Sequence, residues 1–321
     1  MDGPPTVSPR LLGSSRLEVS AIALGSWRTF ERLPRERSLE VLRHARERGI
    51  NFLDDARYDD ETGSAPLPTG YSEVLFGELF RAAGYRREEA IVSEKLWWEF
   101  WPRESAADEL DASLGRLRFD YLDLIYCVRL PAELSVERAV AEVAGLLVAG
   151  KARAWGVAMW PPAAIEEATR AAAAAGIEGP CAAQMAYSVV NHTEAESQQM
   201  VEALRGAGAG LVASAALEGG LLTGKYDTHG AAGGSGRLAG ALDDPASQAA
   251  RDAGRALRAL ASEWGTSAAA LAVAFVLDHP SLASVLVGAT SPAQLDETLA
   301  GVALHAAISE SDRARLHGVA V

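Results

Sequence analysis

Hydrophobic positions along this chain form eight short apolar runs, separated by longer stretches in which apolar residues recur at helical spacing. The runs are rich in β-branched residues, which is typical of buried strands. The predicted strands span Val19–Leu24, Asn51–Asp55, Ala90–Leu96, Tyr121–Cys127, Ala152–Ala158, Ala182–Tyr187, Gly210–Leu217 and Ser284–Ala289.

The stretches between the runs predict amphipathic helices. Leu110, Leu114 and Leu117 recur at i, i+4 and i+7, which buries one face of a helix. Gly176 follows a helical stretch where a C-cap is expected, and Ser291 precedes a proline at a first-turn position. Strands and helices therefore alternate along the chain.

This alternation predicts an α/β fold with parallel strands joined by helical crossovers. A doubly wound sheet is disfavoured, because the first strand runs into Leu24-Gly25-Ser26-Trp27 with no GxGxxG fingerprint. We therefore predict a single (β/α)8 TIM barrel over residues 1–321, preceded by a β-hairpin at Arg10–Ser20. Two long loops, Asp59–Gly70 and Asp227–Ala246, follow strands at the C-terminal face, either as lids of a site or as surface loops.

Composition excludes several classes of protein. The chain has 321 residues, 49% of them hydrophobic, and a formal net charge of −13 without a Lys/Arg cluster, so neither nucleic acid nor an acidic membrane surface is a predicted partner. The N-terminus lacks the charged and apolar regions of a signal peptide, and a cytoplasmic location is expected. Cys127 and Cys181 have no metal-ligand spacing, so no metal is predicted, although one disulfide between them is conceivable.

Charged residues at the ends of apolar strands are the first candidates for chemistry. Asp54 closes the second predicted strand and Lys95 closes the third, so the two can pair across the barrel mouth, either as a structural salt bridge or as part of a site. Tyr58 follows Asp54 by four residues. A tyrosine beside an ammonium is a workable proton donor for carbonyl reduction, with a pKa that we expect the lysine to lower.

Short motifs in the same order along nearly the whole chain resemble those of the aldo-keto reductase family, and most of all its branch of potassium-channel beta subunits and their bacterial relatives. They are Leu12–Ser20, Leu24–Trp27, Gly49–Asp54, Tyr71–Gly77, Ser93–Lys95, Ser113–Leu117, Tyr121–Leu124, Gly150–Val157, Gln184–Tyr187, Gly219–Tyr226 and Val287–Thr290.

The resemblance implies a (β/α)8 barrel that binds NADP(H) and reduces aldehydes and ketones through an Asp, Tyr, Lys and His tetrad. Asp54 and Lys95 occupy the family positions, and Tyr58 lies one residue before the usual tyrosine position, which holds Asp59. Val128 stands at the histidine position. Of the six histidines, only His229 is a conceivable substitute for the missing imidazole.

The resemblance also assigns cofactor positions, in which Arg237 would reach the 2′-phosphate. The choice between NADPH and NADH stays open, because few basic residues are expected near that phosphate. The assigned positions are Gly25, Ser26, Trp27, Gln184, Leu217, Gly219, Gly220, Lys225, Arg237, Gly288, Thr290, Gln294 and Glu297.

Aromatic residues follow Lys95 directly. Trp97 and Trp98 form either a flat apolar wall for the substrate, together with Val128, or a packed loop that seals the barrel mouth. We expect a small-molecule carbonyl substrate: an aldehyde, a ketone or a keto sugar. The alternatives are a nucleotide-binding redox-sensing or regulatory subunit, and a lyase or dehydratase on the same barrel. The sequence carries no signal of oligomeric state.

Overall fold

The structure is a computed structural model that describes residues 9–226 and 244–320. Eight parallel strands close into a barrel in which they follow one another in chain order and the last pairs with the first, which confirms the predicted (β/α)8 fold. The strands are β1 Arg10–Leu11, β2 Glu18–Val19, β3 Ile22–Gly25, β4 Phe52–Asp54, β5 Ile91–Leu96, β6 Leu122–Cys127, β7 Ala152–Ala158, β8 Ala182–Ala186, β9 Gly210–Ser214 and β10 Leu282–Val287.

Helices surround the barrel in the described part of the chain, and each barrel strand leads into one of them. Ser291 is an N-cap, as the sequence predicts, and so is Ser135, because their hydroxyls accept hydrogen bonds from the backbone N–H groups of Gln294 and Arg138. The α-helices are α1 Arg35–Glu47, α2 Tyr71–Ala82, α3 Ala106–Leu117, α4 Val136–Val148, α5 Pro162–Ala175, α6 Gln198–Ala207, α7 Pro245–Trp264, α8 Ala268–Leu277, α9 Pro292–Ala307 and α10 Glu310–His317.

Seven of the eight predicted strands differ in their bounds from the structure, and two of them do so by three residues at one end. The run Val19–Leu24 is split, because Val19 ends the hairpin and the barrel strand begins only at Ile22. The Ser20 hydroxyl donates to the Ile22 carbonyl at 2.6 Å and stabilises this break. The strand predicted to reach Leu217 ends at Ser214, because Ala215 has a φ of 56°.

The predicted hairpin consists of β1 and β2, and it packs against the N-terminal ends of the barrel strands. The Ser14 amide donates to the Gly208 carbonyl at 2.7 Å. Gly13 lies so close to the barrel that a Cβ at this position would stand 2.2 Å from the Cys181 carbonyl oxygen, and its φ is 54°. The hairpin thus lies at the end of the barrel opposite the loops that follow the strands.

Alternating side chains of the strands fill the barrel interior. Phe52, Ile91, Leu124, Tyr126 and Val212 are buried in one apolar cluster. A larger cluster lies between the strands and the helices. Asp54 and Lys95 have the same strand parity as Phe52 and Ile91, so their side chains point into the barrel above this cluster.

The two cysteines are both free and buried in the structure, so the disulfide considered from the sequence does not form. Across residues 9–226 and 244–320, no single helix is long and apolar enough to cross a membrane. Two consecutive helices, Ser247–Trp264 and Ala268–Leu277, are long and apolar enough only when they are taken together, and they meet at a bend of 101°.

Candidate active site

Asp54, Lys95 and Tyr58 come together at the C-terminal end of the barrel. Lys95 Nζ lies 2.8 Å from Asp54 Oδ2 and donates to the Asp55 carbonyl at 3.1 Å. Its ammonium is 6.0 Å from the centre of the Tyr58 ring. Asp54 and Lys95 are 3% and 7% exposed, so their pairing takes place almost without water.

The second oxygen of Asp54 is also held. Ser93 Oγ donates to Asp54 Oδ1 at 2.7 Å, and Gln184 Nε2 donates to the same oxygen at 3.3 Å. A buried carboxylate needs such partners, since an unpaired one is costly to desolvate. Asp54 therefore has a fixed orientation, and it fixes the ammonium of Lys95 in turn.

Tyr58 begins the long loop after β4 and is anchored through its backbone. Its amide donates to the Ser72 hydroxyl at 3.2 Å, and its carbonyl accepts from the Gly70 amide at 2.9 Å. Its ring lies between two indoles, 6.4 Å from Trp27 and 6.1 Å from Trp97. The tyrosine that precedes the usual family position thus has its ring within 6.0 Å of the Lys95 ammonium.

The electrostatics of Tyr58 differ from the sequence expectation. Burial raises the pKa of the Tyr58 phenol, and the carboxylates of Asp54 and Asp55 raise it further, whereas Lys95 lowers it. The net direction is upward, so the expected lowering by Lys95 is outweighed. The phenol stays protonated at neutral pH, which is the form that can donate a proton.

Lys95 stays charged for a related reason. Burial alone lowers the pKa of its ammonium, but the neighbouring Asp54 and Tyr58 raise it above the ordinary lysine value. The site therefore contains one ion pair and one neutral phenol.

Two cavities adjoin this site and together form an elongated cleft. The first has a volume of about 470 Å³ and is lined by Asp54, Tyr58, Lys95 and Gln184. The second, of about 340 Å³, lies beside the N-terminus of α9. Residues that line both cavities are Arg28, Gly219, Val287 and Gly288.

Most of the assigned cofactor positions line this cleft. Gly25 and Trp27 line the first cavity with Gln184. Gly219 and Gly220 have φ values of 63° and 97°, a backbone shape that glycine adopts readily, and the Gly220 amide donates to the Leu217 carbonyl at 2.8 Å. The positions that line the second cavity are Leu217, Gly219, Gly220, Lys225, Gly288, Thr290, Gln294 and Glu297.

Two assigned cofactor positions are not in the cleft. Ser26 is 3% exposed, and its hydroxyl donates to the outward-facing carboxylate of Asp55. Arg237 lies outside the described residues, as do His229 and most of the loop predicted at Asp227–Ala246.

Of the three residues predicted to contact the substrate, one lies at the cleft and two do not. Trp97 lines the mouth of the cleft together with Tyr58, Arg57 and Glu99. Trp98 instead lies in the hydrophobic core, 3% exposed, so it does not belong to a substrate wall. Val128 follows the last residue of β6, is 5% exposed, packs in the barrel cluster with Trp97 and lines neither cavity.

Sequence reasoning missed two cations in the loops. Arg28 and Arg32 follow β3 and line the second cavity beside Lys225, where few basic residues were expected. Glu218 lines the first cavity, and one of its oxygens accepts from the Ser188 hydroxyl at 2.6 Å and from Asn191 Nδ2 at 3.1 Å. The rule that loops after barrel strands build the site is the only signal that could have indicated them.

The residues of the cleft fit a phosphate-bearing dinucleotide. Three cations and the start of α9 surround the second cavity, and both features favour anionic oxygens. No group of three His, Cys, Asp or Glu side chains in the described ranges is arranged to hold a metal ion. The five described histidines lie outside both cavities.

Comparison with known proteins gives one family profile and several relatives. The profile of the aldo/keto reductase family matches residues 21–320. A probable voltage-gated potassium channel subunit beta of Arabidopsis thaliana is 31% identical over 306 residues, covering 91% of this chain and 90% of the relative. A probable subunit beta of Oryza sativa subsp. japonica is 31% identical over 305 residues, covering 90% and 89%. A putative subunit beta of Schizosaccharomyces pombe is 29% identical over 317 residues, covering 93% and 89%.

Proposed function

Because this chain belongs to the aldo/keto reductase family, as its motifs indicate, we propose that it reduces a small-molecule carbonyl with NADPH. The family is one of oxidoreductases and generally binds NAD(P)H. The observation that carries the proposal is the Asp54–Lys95 ion pair beside the neutral Tyr58 phenol, at one end of an elongated cleft with three cations along its other half.

In the proposed reaction, reduced nicotinamide would be held in the first cavity and would supply the hydride for the carbonyl carbon. Gln184, which lines that cavity, would hold the carboxamide of the ring. Tyr58 donates its phenolic proton to the carbonyl oxygen as negative charge develops there. Lys95 stabilises the phenolate that forms, and Asp54 holds the ammonium in place.

The substrate that we propose is an aldehyde, ketone or keto sugar that enters past Trp97. Trp27 is 46% exposed and faces the Tyr58 ring, so two indoles flank the proton donor. Such a mouth favours a flat or ring-shaped carbonyl compound.

The test is NADPH oxidation with a panel of aldehydes, ketones and keto sugars. Tyr58→Phe keeps the ring and removes the hydroxyl, so we expect kcat to fall by about 10²–10⁴-fold. Tyr121→Phe is the matched control, because Tyr121 precedes β6 at the opposite end of the barrel. A Tyr58→Phe variant as fast as the parent would show that the proton comes from another group.

A second function has its own support. The relatives above are named channel subunits, and Val128 supplies no hydrogen-bond donor where the family has histidine. A nucleotide-binding subunit that senses redox state would hold NADPH through purification and turn carbonyls over slowly. Copurified nucleotide combined with undetectable turnover across the panel supports this function, and rapid turnover of any panel member excludes it.

A further inference from the structure

Two arginines and two glutamates form a charged cluster beside the cleft, in which Glu31 lies 4.0 Å from Arg32 Nε and Glu61 pairs with both arginines. Arg28 Nε lies 2.5 Å from Glu61 Oε2, and Arg28 NH2 donates to Glu61 Oε1 at 2.7 Å. Arg32 NH2 donates to Glu61 Oε2 at 2.6 Å. A single carboxylate is therefore held by N–H groups of two guanidinium groups, an arrangement that suits any planar or tetrahedral oxyanion.

The two arginines belong to the cleft and the glutamate does not. Arg28 lines both cavities, and Arg32 lines the second one with Lys225. Glu61 lies in the mouth with Tyr58 and lines neither cavity. The two arginines thus face the volume that a dinucleotide would fill, while Glu61, the carboxylate with which both of them pair, belongs to the loop after β4.

The loop that carries Glu61 keeps its shape through other contacts. Asp59 bridges to Thr69, and the Asp60 amide donates to the Pro68 carbonyl at 2.8 Å. The Asp60 carboxylate accepts from the Thr62 amide at 2.8 Å. Because these bonds close the loop by themselves, its fold does not depend on the contact with the arginines.

The ion pairs between the arginines and Glu61 contribute little to the stability of the fold. The side chains of Arg28 and Glu61 are 30% and 40% exposed, and that of Arg32 is 26% exposed. Pairs at this exposure contribute little to stability, because water competes for both charges. An anion with more charge than one carboxylate can therefore take the place of Glu61.

We propose that Arg28 and Arg32 form a binding site for a phosphate group of the nicotinamide nucleotide, and that Glu61 occupies this site until the nucleotide binds. The inference rests on the proposed function for the identity of the nucleotide. Two phosphate sources share the required chemistry: the pyrophosphate of either nucleotide, and the 2′-phosphate of NADPH. Release of Glu61 on binding would also free a charged side chain at the substrate mouth, beside Tyr58.

The experiment measures binding rather than turnover. Calorimetry or quenching of tryptophan fluorescence gives Kd for NADPH, NADH, 2′,5′-ADP and 5′-ADP with the full chain. For Arg28→Met and Arg32→Met we expect Kd for NADPH to rise by about 10–100-fold, the usual effect of losing a charge-assisted hydrogen bond. Arg35→Met is the matched control, since Arg35 pairs with the exposed Glu78 and lines neither cavity.

The Glu61→Gln variant gives the decisive result. It keeps the shape of the side chain and removes the competing charge, so we expect NADPH to bind about 3–10-fold more tightly. A gain in affinity cannot come from misfolding. Glu78→Gln, which frees Arg35 in the same way, is expected to leave Kd unchanged.

The nucleotide series separates the phosphate sources. Loss of affinity for NADPH and 2′,5′-ADP alone assigns the site to the 2′-phosphate, and equal loss for NADH assigns it to the pyrophosphate. Arginine variants that bind like Arg35→Met overturn the site, and unchanged or weaker binding by Glu61→Gln overturns the role of Glu61. If the reductase proposal fails, nucleotide binding still responds to these variants while carbonyl turnover is absent.

Discussion

Replacing Asp54 by Asn removes one charge of the buried ion pair while keeping the shape of the side chain. In the parent, Lys95 Nζ and Asp54 Oδ2 are 2.8 Å apart, with side chains only 6% and 4% exposed. Breaking such a pair from one side leaves a buried ammonium without a counterion, which costs about 3–5 kcal/mol. For a domain of this size that loss corresponds to a fall in Tm of roughly 5–15 °C.

The pH dependence of this loss follows from the pKa of Lys95. In the parent, the ion pair raises the folded-state pKa of Lys95, so its stabilisation is complete below the unfolded value of about 10.4 and is lost only as pH rises through the folded value. In Asp54→Asn, burial dominates and lowers the folded-state pKa below the unfolded value. The destabilisation should therefore be largest near pH 7 and shrink as pH approaches 10.

Urea denaturation of both proteins at pH 7, 8.5 and 10, followed by circular dichroism, measures this difference. The control is Asp111→Asn, whose partner pair with Lys151 is exposed and should contribute less than about 1 kcal/mol. If Asp54→Asn unfolds within 1 kcal/mol of the parent at pH 7, as judged against the ~3 kcal/mol minimum for a buried pair, the ammonium is not confined as the structure indicates.

Other features lead to shorter predictions. Because the pKa of Tyr58 is raised, the rate of carbonyl reduction should stay flat from pH 7 to 9. The rate of alcohol oxidation, which needs the phenolate, should instead rise about tenfold per pH unit. Stopped-flow measurements of both rates check these expectations. Gly13→Ala places a Cβ against the Cys181 carbonyl and should destabilise the fold by about 1–3 kcal/mol in urea, more than Gly49→Ala, where the Cβ meets open space. Trp97→Ala should raise KM for aromatic carbonyls by about 10-fold and leave KM for short aliphatic ones nearly unchanged, in steady-state assays.

The barrel itself could be predicted because its signals are local and repeated. Each strand is an apolar run bounded by turn residues, and the observed bounds of Ala152–Ala158 coincide with the prediction. Errors occur where polar contacts or left-handed residues interrupt an apolar run, as at Ser20 and Ala215. Such interruptions depend on neighbours that are distant in sequence, such as Asn51, whose side-chain oxygen accepts from the Ser20 amide at 2.7 Å.

The site could be predicted only where a strand fixes the direction of a side chain. Asp54 and Lys95 end strands, so strand parity places both of them inside the barrel. The adjacent Asp55 points out of the barrel, and the Ser26 hydroxyl donates to it, so Ser26 does not line the cleft as predicted. Arg28, Arg32 and Glu218 lie in loops, where composition alone does not indicate which residues face a cavity.

The arrangement also bears on how fast this site can work. The Tyr58 phenol is the proton donor that we assign in the first cavity, whereas the Val128 side chain has no polar atom and Lys95 is bonded to Asp54 and the Asp55 carbonyl. One lost hydrogen-bond donor to a developing oxyanion slows a reaction by about 10²–10³-fold. Slow reduction and redox sensing therefore differ only in the rate of carbonyl turnover at the same site. If the arginine cluster lengthens the residence time of the bound nucleotide, a slow hydride transfer can still take place before the nucleotide dissociates.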